Sequence, residues 1–401
     1  KVKKILKSDK KIIAGLAPSF PAFESEMTFE DWKIILKKLG IDKVYEVAWG
    51  AEIIFQEYKK YIKNSNKTVL SSACPVVVNF IERYYPDLVE NLAPIVSPMK
   101  ALIRYINEVE IDEYEILMIG PCQAKKEELF EEKNVKGILT YSELFEVIEE
   151  IEKDQEKNIS SNINNINKKQ KAHKKNEQPS IYAREIPLAG GLLKAIKEDS
   201  NFSGEAIRVE GEEKIRELFE SILAKDIKPD FVDLLFCEGC ISGIDLVNIN
   251  YFKKENSIKQ FIKDIDKESY LPSTFEQVIY KKEVWSELNL EETFSEKHLE
   301  MPVASESEIW EILNKTNKYN ESDLLNCGAC GYKTCKNKAL AVYQGLAEVE
   351  MCLPFLISEK REEIKEVQKL NLELDKIIDS SYDGMLLVNK EGEIIKVNNA
   401  Y

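Results

Sequence analysis

Eight cysteines are the residues of this chain best able to do chemistry, and they fall into two groups of four. The later group follows the pattern Cys-x2-Cys-x4-Cys-x16-Cys and consists of Cys327, Cys330, Cys335 and Cys352. The earlier group is spread over three short segments and consists of Cys74, Cys122, Cys237 and Cys240. Because an iron–sulfur cubane normally takes four thiolate ligands, two groups of four predict two 4Fe-4S clusters.

Two other uses of cysteine compete with this interpretation. A disulfide framework is typical of short secreted chains with a small core, whereas this chain has 401 residues, of which 44% are hydrophobic. Zinc also binds four thiolates and remains an alternative for the later group. Gly328 and Gly331 lie between the later cysteines. Glycines between the thiols suit a loop that wraps a ligand wider than one ion, so the spacing favours iron–sulfur over zinc.

The composition argues against several classes of protein. A net charge of −15 disfavours nucleic-acid binding, which requires cations that neutralise phosphates. No stretch approaches the roughly 20 apolar residues that span a bilayer. The two histidines, His173 and His298, lie in polar stretches, so haem, histidine–zinc sites and a Ser-His-Asp triad are disfavoured. We therefore expect a cytoplasmic protein that binds neither nucleic acid nor a membrane.

The elements that position the earlier cysteines have a common order. Short apolar, strand-like runs precede Cys74, Cys122 and Cys237, and helical spacing follows the first two. In α/β folds with parallel strands, ligands bind beyond the carboxyl ends of the strands. The sequence therefore predicts an α/β fold in which strand ends carry the cysteines to one site.

Three loops carry a resemblance to a known family. They are Ser71–Pro75, Ile119–Glu128 and Leu235–Gly243. In order and approximate separation they resemble the signature loops of [FeFe] hydrogenases, over roughly residues 12–250. The resemblance implies two α/β lobes with parallel sheets, with H2 and protons as substrates. It also implies an H-cluster, which is a 4Fe-4S cubane joined to a two-iron subcluster with CO, CN and a bridging dithiolate.

The same resemblance implies roles for individual residues. The cubane ligands would be Cys74, Cys122, Cys237 and Cys240, the last also bridging to the two-iron subcluster. Lys125 would donate a hydrogen bond to a cyanide ligand, since an anionic ligand in a dry pocket favours a cationic donor. Ser19 would be a second donor, and Pro18 would line the same pocket. Glu128 matches a glutamate of the second loop, with a helix-surface carboxylate as the alternative interpretation.

This sequence departs from the family pattern where protons would move. Ala73 occupies the position of a cysteine that the resemblance implies as the proton relay, and Ala93 occupies that of a serine on the same route. The third loop is Cys-x2-Cys instead of Cys-x3-Cys and contains Glu238. Without the thiol, we expect general acid–base transfer at the site to be slow.

The later part of the chain predicts a small α-rich 4Fe-4S domain, a helix and the start of another domain. A helix over 339–349 would return Cys352 to the other cysteines. In the next helix Ile357, Ile364, Asn371 and Ile378 fall seven residues apart. This spacing is typical either of a dimeric coiled coil or of a helix packed on its own domain. The last segment resembles the opening α+β part of a PAS sensor domain.

We predict four domains and one insertion. The bounds are 1–318 for the H-cluster domain with a disordered insertion at 152–180, 319–356 for the 4Fe-4S domain, 357–378 for the connecting helix and 379–401 for the truncated PAS domain. The insertion is rich in Asn, Lys and Gln and lacks apolar residues for a core. Because the chain starts at Lys1 and stops within a strand-and-loop pattern, we expect it to be part of a longer protein.

The order of these domains resembles the sensory branch of the family. The resulting hypothesis is a hydrogenase that binds H2, turns over slowly and passes the signal through the second 4Fe-4S cluster to the PAS segment. Its expected partners are a redox protein such as ferredoxin, the maturation proteins that supply the two-iron subcluster, a downstream signalling domain or protein, and a second copy of the chain. The alternatives are an ordinary ferredoxin-coupled hydrogenase and a non-catalytic iron–sulfur scaffold.

Overall fold

The computed structural model describes residues 2–6, 9–155, 179–198, 202–264, 282–297 and 301–401, and the chain divides into two compact units. The first unit comprises residues 1–299 and the second residues 300–401. His173 and His298 lie outside the described residues. Among the described helices, none combines the length and the apolar character needed to cross a membrane.

Two parallel sheets form the framework of the first unit. The larger sheet has the order β2-β1-β4-β5, with β1 at Lys11–Leu16, β2 at Lys43–Glu46, β4 at Tyr114–Ile119 and β5 at Val135–Leu139. The smaller sheet has the order β3-β7-β6, with β3 at Val69–Leu70, β6 at Ala206–Glu210 and β7 at Phe231–Leu235. All neighbouring strands in both sheets run parallel. This confirms the predicted α/β class with parallel sheets.

Helices connect and cover these strands. The α-helices of the first unit are Val2–Ile5, Phe20–Phe23, Phe29–Lys38, Ala48–Asn64, Pro75–Tyr84, Pro98–Val109, Ala124–Leu129, Tyr141–Gln155, Ile181–Glu185, Gly191–Glu198, Glu212–Leu223, Tyr251–Asp264 and Lys282–Glu287. Short 3-10 helices lie at Pro86–Asn91 and Ile244–Leu246. A parallel strand pair requires such a crossover, because each strand must start again at the same edge of the sheet.

The central strands are buried because their residues are almost all apolar. In β1 and β4 the sequences Lys-Ile-Ile-Ala-Gly-Leu and Tyr-Glu-Ile-Leu-Met-Ile contribute core residues to both faces of the sheet. Helix Ala48–Asn64 packs closely on helix Pro98–Val109, since a Cβ at Gly50 would come within 1.8 Å of the Pro98 carbonyl oxygen. Burial on both faces, at roughly 25 cal/mol per Å² of apolar surface, makes this sheet a rigid support for the loops at its edge.

The predicted insertion at 152–180 is too long at both ends. Helix Tyr141–Gln155 continues through residues 152–155, and the described chain resumes at Pro179. Ser180 caps helix Ile181–Glu185 and its amide donates to Glu52 Oε1 at 2.5 Å, while Arg184 forms a buried ion pair with Glu46 at 2.7 Å. Capping and ion pairing thus order the far end, and residues 156–178 lie outside the described residues.

The second unit is mainly helical. Its elements are the α-helices Glu306–Asn314, Cys335–Tyr343 and Leu353–Asp379, the 3-10 helices Glu321–Asp323 and Val349–Met351, and the strands β8 (Leu386–Val388) and β9 (Ile394–Val397). A small core joins the first two helices through Ile312, Leu313 and Ala339. Helix Leu353–Asp379 has no buried residue.

The predicted helix over 339–349 is wrong at both ends. The helix begins at Cys335, where the Thr334 side chain caps it, and ends at Tyr343. Gly345 adopts a φ of +73°, and the Leu346 amide donates to the Ala341 carbonyl at 2.8 Å. This left-handed turn ends the helix, because glycine reaches positive φ without steric cost.

The last segment forms the predicted hairpin. Strands β8 and β9 pair antiparallel, and Gly392 at φ +85° closes the turn between them. Asn398 is buried: its side-chain amide donates to the Ile378 and Asp383 carbonyls at 3.0 and 2.8 Å, and its oxygen accepts from the Met385 amide at 2.7 Å. One asparagine thus ties the hairpin to the end of the preceding long helix.

Candidate functional site

The earlier cysteines lie in loops that follow the carboxyl ends of parallel strands. Cys74 follows β3, Cys122 follows β4, and Cys237 and Cys240 follow β7. The Ser71 side chain accepts a hydrogen bond from the Leu234 amide at 2.8 Å, which links the first loop to β7. β3 and β7 are neighbours in the smaller sheet, so their loops leave the same edge of that sheet. The loop after β4 comes from the larger sheet and meets the third loop where Gly243 approaches the Pro121 carbonyl oxygen.

Burial and the other cysteines of the set affect the ionisation of three of these thiols. Burial raises the pKa of Cys74, Cys237 and Cys240, and neighbouring thiols of the same set raise it further. The ammonium group of Lys125 opposes this rise for Cys74 and Cys240, but the pKa of both thiols remains raised. Buried thiols favour the neutral form, so a metal held by these cysteines would have to stabilise their thiolates.

Lys125 connects the second loop to the first. It lies in the first turn of helix Ala124–Leu129 and is buried. Its Nζ forms an ion pair with Glu128 Oε2 at 2.6 Å and lies 3.4 Å from the Ala73 carbonyl oxygen. The Glu128 side chain is only 13% exposed, which contradicts the alternative of a helix-surface carboxylate. The ammonium group of Lys125 is the part of this pair that could donate to an anionic ligand, and Glu128 balances its buried charge.

Ser19 belongs to a second group of polar atoms at the end of β1. Its hydroxyl lies 2.7 Å from the Tyr141 hydroxyl, which in turn donates to the Ala17 carbonyl at 3.1 Å. Both residues are buried, and burial raises the pKa of Tyr141 far above its ordinary range. The charge of Cys240 acts in the same direction on Tyr141. Pro18 lies in this turn and is buried.

The third loop packs tightly against two other segments. A Cβ at Gly243 would come within 2.1 Å of the Pro121 carbonyl oxygen, so this loop touches the backbone beside Cys122. Gly239 has φ +91°, and the Cys240 amide donates to the Pro187 carbonyl at 2.8 Å. Glycine is therefore required at both positions, one for close approach and one for conformation.

The glycine pair at 190–191 serves packing in this structure. A Cβ at Gly190 would meet the Arg208 side chain at 2.5 Å, and one at Gly191 would meet the Glu185 carbonyl oxygen at 2.3 Å. The first turn of the following helix, Gly191–Glu198, contacts Asp233: the Asp233 carboxylate accepts a hydrogen bond from the Leu193 amide at 2.9 Å. Burial raises the pKa of Asp233 to about 6. The pair therefore lets a helix start close to β7.

Hydrogen bonds join the segment that contains Ala73 to the segment that contains Ala93. The Ala93 amide donates to the Leu70 carbonyl at 2.9 Å, and its methyl group is fully buried. Ser72 donates to the Ile95 carbonyl at 2.7 Å and lies 2.9 Å from the Tyr58 hydroxyl. The segment beside Cys74 is thus held firmly, and its two alanines bring no titratable group to the site.

The later cysteines line one cavity of the second unit. Its wall includes Cys327, Cys330, Cys335 and Cys352. Gly328 and Gly331 adopt φ values of +71° and +85°, which curve the loop around the cavity. The Asn326 side chain accepts from the Cys335 amide at 2.8 Å and fixes the loop to the helix start.

The donor set of this cavity fits a four-thiolate cluster. Four sulfurs without a competing histidine are the ligands that 4Fe-4S clusters take. Among the described residues, no group of three His, Cys, Asp or Glu side chains is placed to hold a single metal ion.

Two sequence families match the chain. The profile of the iron only hydrogenase large subunit, C-terminal domain, matches residues 10–244, which is more than half of the chain. A second profile, for an Fe-S cluster segment, matches residues 325–354 and includes all four later cysteines. Iron hydrogenase 1 of Clostridium pasteurianum is 25% identical over 138 residues, which cover 29% of this chain and 24% of that protein. The chain therefore matches only about a quarter of that relative's length.

Solved structures share the fold. A structure from work on oxygen inactivation of [FeFe]-hydrogenase has 14% sequence identity and a TM-score of 0.55, covering 74% of this chain and 99% of that one. A variant of the [FeFe]-hydrogenase from Chlamydomonas reinhardtii has 14% identity and a TM-score of 0.54 over the same shares. At this identity the likeness is one of fold.

Sequence reasoning missed two residues of the candidate sites. Tyr141 contacts Ser19, and it could have been found because it starts the helix that follows β5, at another strand end. Lys318 contacts Cys352 at 3.2 Å in the second unit. Its sequence neighbourhood, Asn317-Lys318-Tyr319, carries no signal of a buried lysine.

Proposed function

We propose that this chain, which belongs to the family of the iron only hydrogenase large subunit, C-terminal domain, is a hydrogen-sensing [FeFe] hydrogenase with slow turnover. The proposed H-cluster ligands are Cys74, Cys122, Cys237 and Cys240. When bound, the H-cluster supplies the redox chemistry that interconverts H2 with protons and electrons. The proposal further includes a second 4Fe-4S cluster and the start of a PAS domain.

One observation carries the proposal of slow turnover. All four cysteines and Lys125 are present around the candidate site, whereas Ala73 stands directly before Cys74 and has no group that can carry a proton. A positioned acid or base typically contributes about 10²–10⁴-fold to such a rate. A site that keeps its ligands and lacks a relay suits binding of H2 more than rapid conversion.

The protein's own residues have distinct proposed roles. Lys125 provides a buried positive charge that orients an anionic ligand, and Glu128 holds that ammonium group in place at 2.6 Å. Ser19 is a hydroxyl donor whose orientation Tyr141 sets. Pro18 is buried beside Ser19 and would line the same pocket.

Replacing Lys125 with methionine tests the site. In a chain matured with the two-iron subcluster, we expect Lys125→Met to lose the CO and CN infrared bands and to reduce H2 turnover to background. The physical reason is that an anionic cyanide would then face an apolar pocket with no cationic donor. Infrared spectroscopy under H2 and under argon measures the first effect, and a gas-exchange assay measures the second.

Lys126 provides a matched control for this experiment. It is the adjacent lysine, but its side chain is 34% exposed, against 11% for Lys125, and it forms an ion pair with Glu143. Lys126→Met should keep both the infrared bands and the turnover of the unmodified chain. A Lys125→Met protein with an unchanged band pattern would contradict the assignment of Lys125, and an unmodified chain without bands would contradict the proposed cofactor.

The second cluster is the proposed electron relay. The match of residues 325–354 to an Fe-S profile and the cavity lined by four cysteines support its presence. A redox protein such as ferredoxin is the proposed external partner. A turnover equal to that of ordinary ferredoxin-coupled hydrogenases would favour the catalytic alternative over the sensory proposal.

The long helix Leu353–Asp379 has features of a coiled coil, and a dimer formed through it would support the proposed signalling role. Apolar residues of this helix are spaced seven, three and seven residues apart, as in a coiled-coil seam, at Ile357, Ile364, Val367 and Leu374. Ile364 is 55% exposed. An exposed apolar seam with one polar Asn371 is typical of parallel dimers, in which the polar residue fixes the register. The proposed dimer would join two copies of the segment that resembles a PAS domain.

Changing one seam residue tests this dimer. We expect the unmodified chain to have twice the monomer mass in sedimentation experiments and Ile364→Glu to shift it to the monomer. A buried pair of like charges opposes association, whereas Lys365→Glu, a charge change of the neighbouring exposed residue, should leave the dimer intact. A chain that is monomeric before mutation would contradict the proposed dimer.

A further inference from the structure

Two lysines are buried in the second unit next to the later cysteines. Lys318 is 6% exposed and Lys338 is 5% exposed. An ammonium group away from water is costly unless it is paired or hydrogen-bonded. Within the part of the chain that the structure describes, neither lysine has a carboxylate at ion-pair distance, and their Nζ atoms contact neutral oxygens and one cysteine sulfur.

Lys318 is directed at one of the four cysteines. Its Nζ lies 3.2 Å from Cys352 Sγ and 3.0 Å from both the carbonyl and the hydroxyl oxygen of Thr316. The side chain lines the same cavity as the cysteines. Because Thr316 holds two of the three donor directions, the third is fixed on the sulfur.

Lys338 places a second positive charge nearby. It lies on helix Cys335–Tyr343, and its Nζ donates to the Val349 carbonyl at 2.7 Å. Burial lowers its pKa, whereas the charges of Cys352 and Cys330 raise it. Val349 lies three residues before Cys352, and Lys338 lies three residues after Cys335 on the same helix, so this ammonium group is close to the segments of two ligands.

We propose that Lys318 and Lys338 raise the reduction potential of the second 4Fe-4S cluster, Lys318 through an N–H···S hydrogen bond to Cys352 and Lys338 through its buried charge. A cubane with four thiolates is an anion and becomes more negative when it takes up one electron. Hydrogen bonds to the sulfurs and nearby positive charge stabilise the reduced form more than the oxidised one. The inference rests on the proposed second cluster and adds the residues that set its affinity for an electron.

A redox titration of the 401-residue chain tests the inference. Both 4Fe-4S clusters are reconstituted without the two-iron subcluster, dithionite is the reductant, and electron paramagnetic resonance follows the reduced clusters. The signal of the second cluster is the one that disappears in Cys352→Ala. We expect Lys318→Met to shift the oxidised-to-reduced equilibrium by about tenfold, which is 59 mV towards more negative potential for one electron. Lys338→Met should shift it in the same direction by less.

Two controls separate this effect from a general loss of charge. Lys318→Arg keeps a cation and an N–H donor and should retain most of the potential. Lys336→Met removes a charge next to ligand Cys335, but Lys336 is an exposed residue paired with Glu321, so solvent screening should leave the potential nearly unchanged. An equal shift in Lys336→Met and Lys318→Met would overturn the specific role of the buried lysine.

The remaining outcomes are also decisive. If Lys318→Met keeps the cluster and its potential, the inference fails while the proposed second cluster stands. If Lys318→Met loses the cluster, Lys338→Met decides: a lower potential supports the inference, and an unchanged one overturns it. If the unmodified chain binds zinc or no second cluster, the proposed relay itself fails.

Discussion

Replacing Cys240 with alanine should abolish H2 turnover and remove one of the two clusters. Cys240 is the proposed ligand shared by the cubane and the two-iron subcluster, and the Cys240 amide is held on the Pro187 carbonyl at 2.8 Å. Iron content should fall from about eight to about four atoms per chain before maturation, because each cubane contains four iron atoms. Iron analysis, infrared spectroscopy after maturation and a gas-exchange assay measure the three effects.

Cys352→Ala is the matched control for this experiment. It removes a ligand of the proposed second cluster, so iron content should fall by a similar amount while the CO and CN bands persist. The two substitutions thus have opposite expected effects on the infrared spectrum. If Cys240→Ala kept the bands and the turnover, the assignment of the four earlier cysteines to the H-cluster would be wrong.

Replacing Ala73 with cysteine should increase H2 turnover by about 10²–10⁴-fold, the usual contribution of a positioned proton donor. The expected gain has a structural basis, because Ala73 directly precedes Cys74 and its carbonyl oxygen lies 3.4 Å from Lys125 Nζ. A thiol there would add a titratable group without altering any of the cluster ligands. The measurement is H2 oxidation by the matured chain over a range of pH.

Ala73→Ser distinguishes a proton relay from a change of size. A serine hydroxyl has similar volume but does not ionise near neutral pH, so it should increase turnover far less than the thiol. A new ionisation in the pH profile of Ala73→Cys, absent from Ala73→Ser, would identify the thiol as the relay. An unchanged rate in Ala73→Cys would contradict the view that the missing thiol limits turnover and would direct attention to buried Ala93.

Much of the fold could be predicted from local patterns. The apolar runs that became β4 and β7 have strand length, and turn residues and cysteines follow each of them. Parallel pairing follows from the alternation of such runs with helices. Helix ends were less predictable. The predicted helix 339–349 in fact begins at Cys335, capped by Thr334, and ends before Gly345.

The sequence predicted the positions of polar residues less completely than those of the cysteines. Glu128 could be assigned from sequence either to the surface or to the site, and only the structure contradicted the surface assignment, because the side chain is 13% exposed and 2.6 Å from Lys125. The insertion predicted from composition at 152–180 extended too far at its second end, because Ser180 and Arg184 are held by Glu52 and Glu46, more than a hundred residues earlier. Composition reports a tendency to disorder and carries no information about such partners.

The sequence by itself determined the two cysteine sets, the parallel α/β class of the first unit and the presence of an alanine, without a titratable group, directly before Cys74. These follow from residue types and from patterns along the chain, without any long-range contact. Only the tertiary structure decided which groups meet: Lys125 with the Ala73 carbonyl, Ser19 with Tyr141, and Lys318 with Cys352. These contacts join residues 34 to 122 positions apart. Their formation depends on the packing of whole sheets and helices, which no local pattern contains.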